Sequence, residues 1–149
     1  MLEFSLKGPA GFLTGDGNAR GNQRVKAKVD WPLFDRVVAE LRPEHFLDRV
    51  STPTRVKLLG GGRNRPKVQF LQIAADGSRS VSYEDSPLPH NDALAMVVAM
   101  RRVRNNLFHG GKEDPLQEPY PGDDEEWVVS AQEVVDLLLD LLDRRLLSP

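Results

Sequence analysis

The chain has 149 residues, which suits one domain with a buried core and is short for two independent domains. Its net charge of -2 excludes a uniformly basic nucleic-acid-binding protein, so any basic binding surface must be local. The absence of cysteine excludes disulfides, thiolate-bound metals and a cysteine nucleophile, and it agrees with a reducing, cytoplasmic setting. The N-terminus resembles no signal peptide and no stretch could span a bilayer, so no membrane association is expected.

The first 30 residues favour short strands. Apolar and polar residues alternate over residues 2–6, which predicts a strand with one buried face. Residues 8–22 are rich in Gly, Pro, Asn and Asp and predict a loop. A second alternation over residues 24–29 predicts a strand paired with the first. We therefore expect residues 1–30 to form a strand-like N-terminal extension.

A helix is predicted to begin near Pro32, with Asp30 as its cap, and to end or kink at Pro43. Residues 54–83 then predict an insertion between helices, made of a basic loop and a hairpin that turns at Asp76-Gly77. Taken alone, the basic residues favour a solvated, glycine-rich loop. The alternative is a surface that follows the phosphates of RNA or DNA.

Two further helices complete the predicted order. One runs from Asn91 or Asp92 to about Phe108, and the last begins at a capping box formed by Ser130 and Glu133. Apolar residues cover more than one stripe of the last helix, so we expect it to meet the core on one side and a second protomer on the other.

The acidic run at residues 123–126 could supply oxygen ligands, but it lacks the spacing of a shaped metal-binding loop. We interpret it as a solvated approach to the last helix. The sequence therefore predicts no metal and no cofactor.

The chemistry of the chain is concentrated at the end of the penultimate helix. A helical wheel places Arg104 within the apolar arc, where an unpaired guanidinium is costly, so it needs an anion, a cleft or a carboxylate partner within the fold. His109 follows, and Asn105 lies four residues before it, close enough to orient the imidazole. A lone histidine is more often structural, but an arginine fork beside a histidine suits phosphate transesterification without a metal.

The run from Arg104 to His109, extended by Gly110-Gly111-Lys112, resembles the motif of the HEPN superfamily (higher eukaryotes and prokaryotes nucleotide-binding domains). In that family an arginine, usually followed by a polar residue, precedes a histidine by a few positions. The close match covers only this stretch, although the order of the helices around it is also similar. The strand-like N-terminus and the basic insertion depart from a minimal bundle of this family.

The resemblance implies a mainly α fold: one HEPN-like antiparallel helical bundle over residues 1–149, here with a small additional β element. It also implies a homodimer with facing motifs and a metal-independent endoribonuclease, often a toxin or phage-defence effector with an antitoxin or regulatory partner. His109 would transfer protons, Arg104 would stabilise the phosphate and Asn105 would fix the site. The expected RNA-binding residues are Arg101, Arg102, Lys112, Arg63 and Arg65.

Two other functions are compatible with the same residues. A non-catalytic HEPN-type module would use Arg104 to hold a ligand phosphate or a protein carboxylate, and it would bind RNA without cutting it. A purely structural dimerisation domain would pair Arg104 with a carboxylate of its own protomer and leave His109 in solvent.

Overall fold

A computed structural model describes residues 2–8, 10–15, 21, 24–60, 66–108 and 123–149, which form helices and two small antiparallel sheets. The chain divides into two compact units, Met1–Arg49 with Val135–Pro149, and Val50–Val134. The elements are α1 (Leu2–Lys7), β1 (Leu13–Gly15), β2 (Ala27–Val29), α2 (Trp31–Ala39), a 3-10 turn (Leu47–Arg49), α3 (Thr52–Leu59), β3 (Val68–Ile73), β4 (Arg79–Glu84), α4 (Asp92–Phe108) and α5 (Asp123–Asp143).

The N-terminal residues form the helix α1, so the predicted opening strand is wrong. Leu6 is buried, but Phe4 is 76% exposed, so the alternating residues do not share one buried face. The second predicted strand is present as β2, but its partner is β1, with Leu13 opposite Val29. β1 lies inside the stretch predicted as a loop. The many glycines of this stretch favour a loop and give no sign of a short strand that pairs with β2.

The first unit packs α2 against aromatic side chains. Asp30 caps this helix as predicted, since its Oδ1 accepts the Leu33 N–H at 3.0 Å, and the helix ends before Pro43. The rings of Phe12 and Phe34 meet edge to face with centroids 5.4 Å apart. Other side chains buried in this unit are Leu6, Val29, Val38, Phe46, Leu138, Leu141 and Leu147.

The first helix of the second unit is α3, which lies where the sequence predicts the start of the basic loop. Ser51 is its N-cap and a proline lies in its first turn, a start signal that was present in the sequence. Thr54 and Leu58 are buried one helical turn apart. Arg55 and Lys57 therefore lie on a helix, and the prediction of a loop is wrong for residues 54–59.

Glu133 of α5 caps the N-terminus of α3. Its Oε1 accepts the Ser51 N–H at 2.6 Å, and its Oε2 accepts the hydroxyls of Ser51, at 2.8 Å, and of Thr54. Partial burial raises the pKa of Glu133, but these hydrogen bonds outweigh it and hold the pKa below its ordinary value. Glu133 thus serves another helix, and the capping box predicted with Ser130 is wrong.

α5 begins at Asp123, earlier than predicted, so the acidic run forms its first turn. Carboxylates there complement the positive end of the helix dipole, which explains why an acidic segment starts a helix. No helix within the described ranges is both long and apolar enough to cross a membrane.

The predicted hairpin is confirmed, with β3 antiparallel to β4 and Val68 opposite Glu84. Gly77 closes the turn with a φ of 82° and donates its N–H to the Ala74 carbonyl at 2.9 Å. The Ala74 N–H donates in turn to the Ser78 carbonyl at 2.8 Å. Together, the positive φ of Gly77 and the hydrogen bond between Ala74 and Ser78 define a three-residue turn with a β-bulge. Asp-Gly is a suitable sequence for such a turn.

The predicted long helix is also confirmed as α4. Asn91 caps it by accepting the Leu94 N–H at 2.9 Å. Small side chains among its buried residues allow neighbouring elements to approach closely. The buried residues are Ala93, Ala95, Met96, Val97, Ala99, Met100 and Val103.

Removal of the Glu133 carboxylate should destabilise the fold. Glu133→Ala leaves the Ser51 N–H and the buried Thr54 hydroxyl without their acceptor, and we expect a loss of about 2 kcal/mol in the free energy of unfolding. Urea unfolding at neutral pH measures this loss. The control is Asp143→Ala, which removes an exposed carboxylate from the same helix and should change the same quantity by less than about 0.5 kcal/mol.

The stabilisation by Glu133 should also depend on pH. Because its pKa is lowered in the folded state, its contribution is complete above the unfolded pKa of about 4.3 and disappears as the pH falls through the lower folded pKa. The difference in stability between wild type and Glu133→Ala should therefore shrink in acid. A difference that stays constant down to the acid transition would contradict this role for the carboxylate.

Candidate functional site at the end of α4

Arg104 and Asn105 lie side by side near the C-terminal end of α4, and both are exposed. The wheel-based placement of Arg104 within a buried face is therefore wrong. Among the side chains of α4 whose burial is described, Val103 is the last buried one, and Leu107, one turn further on, is half-buried. Arg104 therefore does not incur the desolvation cost expected from the sequence.

Four of the predicted site residues fall outside the described part of the chain. They are His109, Lys112, Arg63 and Arg65. The predicted cap at Gly110-Gly111 falls there too. The description of α4 ends at Phe108, directly before His109 in the sequence, so the orientation of the imidazole by Asn105 stays a prediction.

Arg102 holds the segment that joins β4 to α4. Its Nη1 donates to the Ser86 carbonyl at 2.7 Å and its Nη2 to the Pro87 carbonyl at 3.0 Å. Partial burial lowers the pKa of the guanidinium, which nevertheless stays charged because an arginine pKa lies far above neutrality. Its main contacts are thus with its own chain. Arg101, the other arginine predicted to bind RNA on this helix, is half-buried.

Asn106 makes the corresponding contact with the other strand at the same, open end of the hairpin, and no pattern in the sequence indicates it. Its Nδ2 donates to the Lys67 carbonyl at 3.0 Å, directly before β3. Because Arg102 and Asn106 are four residues apart, they lie on the same face of α4. We call these two residues the hairpin anchors, since together they hold the entry to β3 and the exit from β4 against α4.

The adjacent asparagines therefore differ in their surroundings. Asn105 is exposed next to Arg104, whereas Asn106 is half-buried and bonded to the fold. The helical rotation of about 100° per residue separates them. Consecutive identical residues in the sequence give no signal of this difference, which depends on where the hairpin lies.

Lys57, in the stretch predicted as a basic loop, is also engaged within the second unit. Its Nζ lies 3.0 Å from the Glu126 carboxylate and 4.5 Å from the centre of the Trp127 ring. This contact joins α3 to α5 and leaves less basic surface for a phosphate backbone. Among the residues that the structure describes, no group of three or more acidic or histidine side chains could hold a metal ion.

The exposed pair at the end of α4 has the chemistry of an anion-binding site. A guanidinium offers two parallel N–H donors to the oxygens of a phosphate, and an adjacent amide can donate a further hydrogen bond or orient a neighbouring ring. Both groups are accessible from solvent. Arg102 and Asn106 hold the hairpin against the same last turns of α4, on a different face of the helix from Arg104.

Loss of the Asn106 anchor should loosen β3. Asn106→Ala removes one hydrogen bond worth about 1 kcal/mol, so amide hydrogen exchange at the start of β3 should accelerate roughly fivefold. The matched control is Asn105→Ala, which removes the same side chain from an exposed position on the same helix. Equal acceleration in the two variants would show that Asn106 does not anchor the hairpin.

Comparisons of the chain with protein-family models, with curated proteins and with solved structures found no match. The function is therefore inferred from the residues at the end of α4. In the structure, Arg104 and Asn105 are exposed on a helix that also holds the hairpin through other residues.

Proposed function

We propose that the chain is a metal-independent endoribonuclease of the HEPN type, which folds as a bundle of that family and acts as a homodimer. The observation that supports this function best is the exposure of Arg104 and Asn105 together, at the end of a helix that is otherwise packed. His109 follows them in the sequence at the motif spacing. A packed helix gives the exposed pair a rigid base, which a phosphate-binding site requires.

The reaction divides among these three residues. The neutral imidazole of His109 accepts the proton of the ribose 2'-hydroxyl, and the resulting oxygen attacks the adjacent phosphorus. The bond from phosphorus to the 5' oxygen breaks, and that oxygen takes a proton from an imidazolium. Arg104 binds the non-bridging oxygens, whose charge rises in the transition state, and Asn105 orients the imidazole. The products carry a 2',3'-cyclic phosphate and a 5' hydroxyl.

In this proposal a second copy of the chain completes the site. On an ideal helix, the side chains of residues five apart diverge by about 140°, so Arg104 and His109 of one protomer do not point to the same phosphate unless the helix ends between them. A symmetric dimer supplies the missing group by placing two motifs in one cleft. The exposure of Arg104 and Asn105 leaves room for such an approach.

Backbone binding would then fall to the remaining basic residues. Arg102 already holds the hairpin, so its expected effect on RNA is indirect, through the position of the last turns of α4. Arg101, Lys112, Arg63 and Arg65 are the residues proposed to contact phosphates. A cytoplasmic toxin or phage-defence effector, controlled by an antitoxin or a regulatory protein, is the biological role that this activity fits.

The second candidate is a non-catalytic HEPN-type module that binds a nucleotide or a protein. The exposed apolar side chains of the hairpin favour it, since Leu71, Ile73 and Val81 are each more than half exposed. In this function Arg104 holds a phosphate or a carboxylate, and the protein binds RNA without cutting it. The cleavage assay separates the two candidates.

RNA cleavage in the presence of EDTA tests the proposed activity. With enzyme in excess over a labelled single-stranded RNA, wild type should cleave, and His109→Ala should be slower by roughly two to four orders of magnitude because proton transfer is lost. Arg104→Ala should also be impaired. Undiminished cleavage by both variants would contradict the assignment.

The control for this assay is Arg36→Ala, which removes an exposed arginine from α2 in the other unit. It should cleave at the wild-type rate, since it changes the net charge by the same amount as Arg104→Ala without touching the motif. A wild type that binds RNA and leaves it intact would favour the non-catalytic module.

A further inference from the structure

The hairpin of β3 and β4 is poorly covered by the rest of the second unit. Leu71 lies opposite Val81 and Ile73 lies opposite Arg79, so these four side chains share one face of the hairpin. Leu71 is 59% exposed, Ile73 60% and Val81 53%. A two-stranded hairpin with an apolar face is marginally stable by itself in water, so additional strands or a covering surface would stabilise it.

The outer edge of β4 has its hydrogen-bonding groups at known positions. The Ala74 N–H bonds to the Ser78 carbonyl, so residues 74 and 78 form a hydrogen-bonded pair across the turn. Such pairs recur at every second residue of an antiparallel ladder. The even-numbered residues of β4 therefore bond to β3, and the odd-numbered ones direct their N–H and C=O groups outward. In the described part of the chain this sheet ends at β4.

We propose that the outer edge of β4 pairs antiparallel with β4 of a second copy of this chain and forms a continuous four-stranded sheet. A two-fold axis perpendicular to the sheet would pass between the two copies of Ser82. Residues whose numbers sum to 164 would then oppose each other. This register pairs odd residues with odd residues, as the outward hydrogen bonds require.

Charge selects this register. Arg79 of one copy would oppose Asp85 of the other, and the symmetry repeats the ion pair at the opposite end of the strand pair. Between these ends Val81 would oppose Tyr83, an aromatic and β-branched pair that stabilises antiparallel strands. Arg79, Val81 and Tyr83 lie on the hairpin face that carries Leu71, and Asp85 directly follows the last residue of β4.

The neighbouring symmetric register is less favourable. It would place Val81 opposite its own copy and Arg79 opposite Tyr83, so neither Arg79 nor Asp85 would oppose a charge of the other sign. The sequence from Arg79 to Asp85 is therefore self-complementary in one register only. A partner strand of unrelated sequence would have no such symmetric match.

The strand pair is short, so the association should be weak and should depend on protein concentration. This surface does not include Arg104, Asn105 or His109. The proposal goes beyond the proposed ribonuclease function and does not depend on it.

Disulfide trapping tests the pairing directly, because the chain has no cysteine of its own. Ser82→Cys would bring two thiols together across the axis at a non-hydrogen-bonded pair, with a Cα separation of about 4.5 Å, which a disulfide can bridge. We expect mild oxidation to convert most of this variant to a covalent dimer.

The matched control is Ser80→Cys, on the same face of the same strand. In the proposed register its two copies are offset by four residues, or about 13 Å, which exceeds the reach of a disulfide. Equal cross-linking of the two variants, or none in Ser82→Cys, would overturn the proposal. Circular dichroism of both variants checks that they are folded.

Charge exchange supplies a second test in the Ser82→Cys background. Arg79→Asp should reduce cross-linking severalfold, and the further change Asp85→Arg should restore it, because both ion pairs re-form with reversed signs. Failure of this rescue would overturn the register. Adding His109→Ala should leave cross-linking unchanged while RNA cleavage is lost. Absence of cleavage in Ser82→Cys with His109 intact, together with retained cross-linking, would count against the ribonuclease alone.

Discussion

The packing of α4 is the constraint on which the candidate site depends. Its buried side chains, from Ala93 to Val103, fix the rotation of the helix within the second unit. That rotation turns Asn106 toward the start of β3 and leaves Arg104 and Asn105 in solvent. One helix thus supplies part of the core, the support of the hairpin and the exposed groups of the proposed site.

Polar contacts position the other elements of the second unit. Glu133 of α5 binds the first turn of α3, and Lys57 of α3 contacts Glu126 and Trp127 of α5. Both contacts join residues that are far apart in sequence. Lys57 was expected in a loop and Glu133 at the start of its own helix. In the structure both side chains hold neighbouring helices together.

Much of the local structure could be predicted because its signals are local. Asp30 and Pro32 define the start of α2, Asp76-Gly77 defines the hairpin turn, and α4 follows from its cap and its apolar spacing. Residues 2–6 were misassigned because alternation alone does not reveal whether a pairing partner exists. The start of α5 was misassigned because Ser130 and Glu133 match a capping box, while a tertiary contact determines the role of Glu133.

The sequence proposes residue types for the candidate site but does not reveal their environment. The helical wheel placed Arg104 in a buried face, and this was wrong because Arg104 is exposed directly after the buried Val103. Exposure changes the physical argument. An exposed arginine carries little desolvation cost for a ligand to offset, so its function depends on what it binds.

The chemical identity of the RNA ends tests the central claim most directly. After incubation of a single-stranded RNA with excess protein in EDTA, transesterification by the 2'-hydroxyl predicts fragments with 2',3'-cyclic phosphate and 5'-hydroxyl termini. These are resolved by mass spectrometry of the products. Fragments that carry a 3' hydroxyl and a 5' phosphate, or RNA that stays intact, would contradict the proposed function.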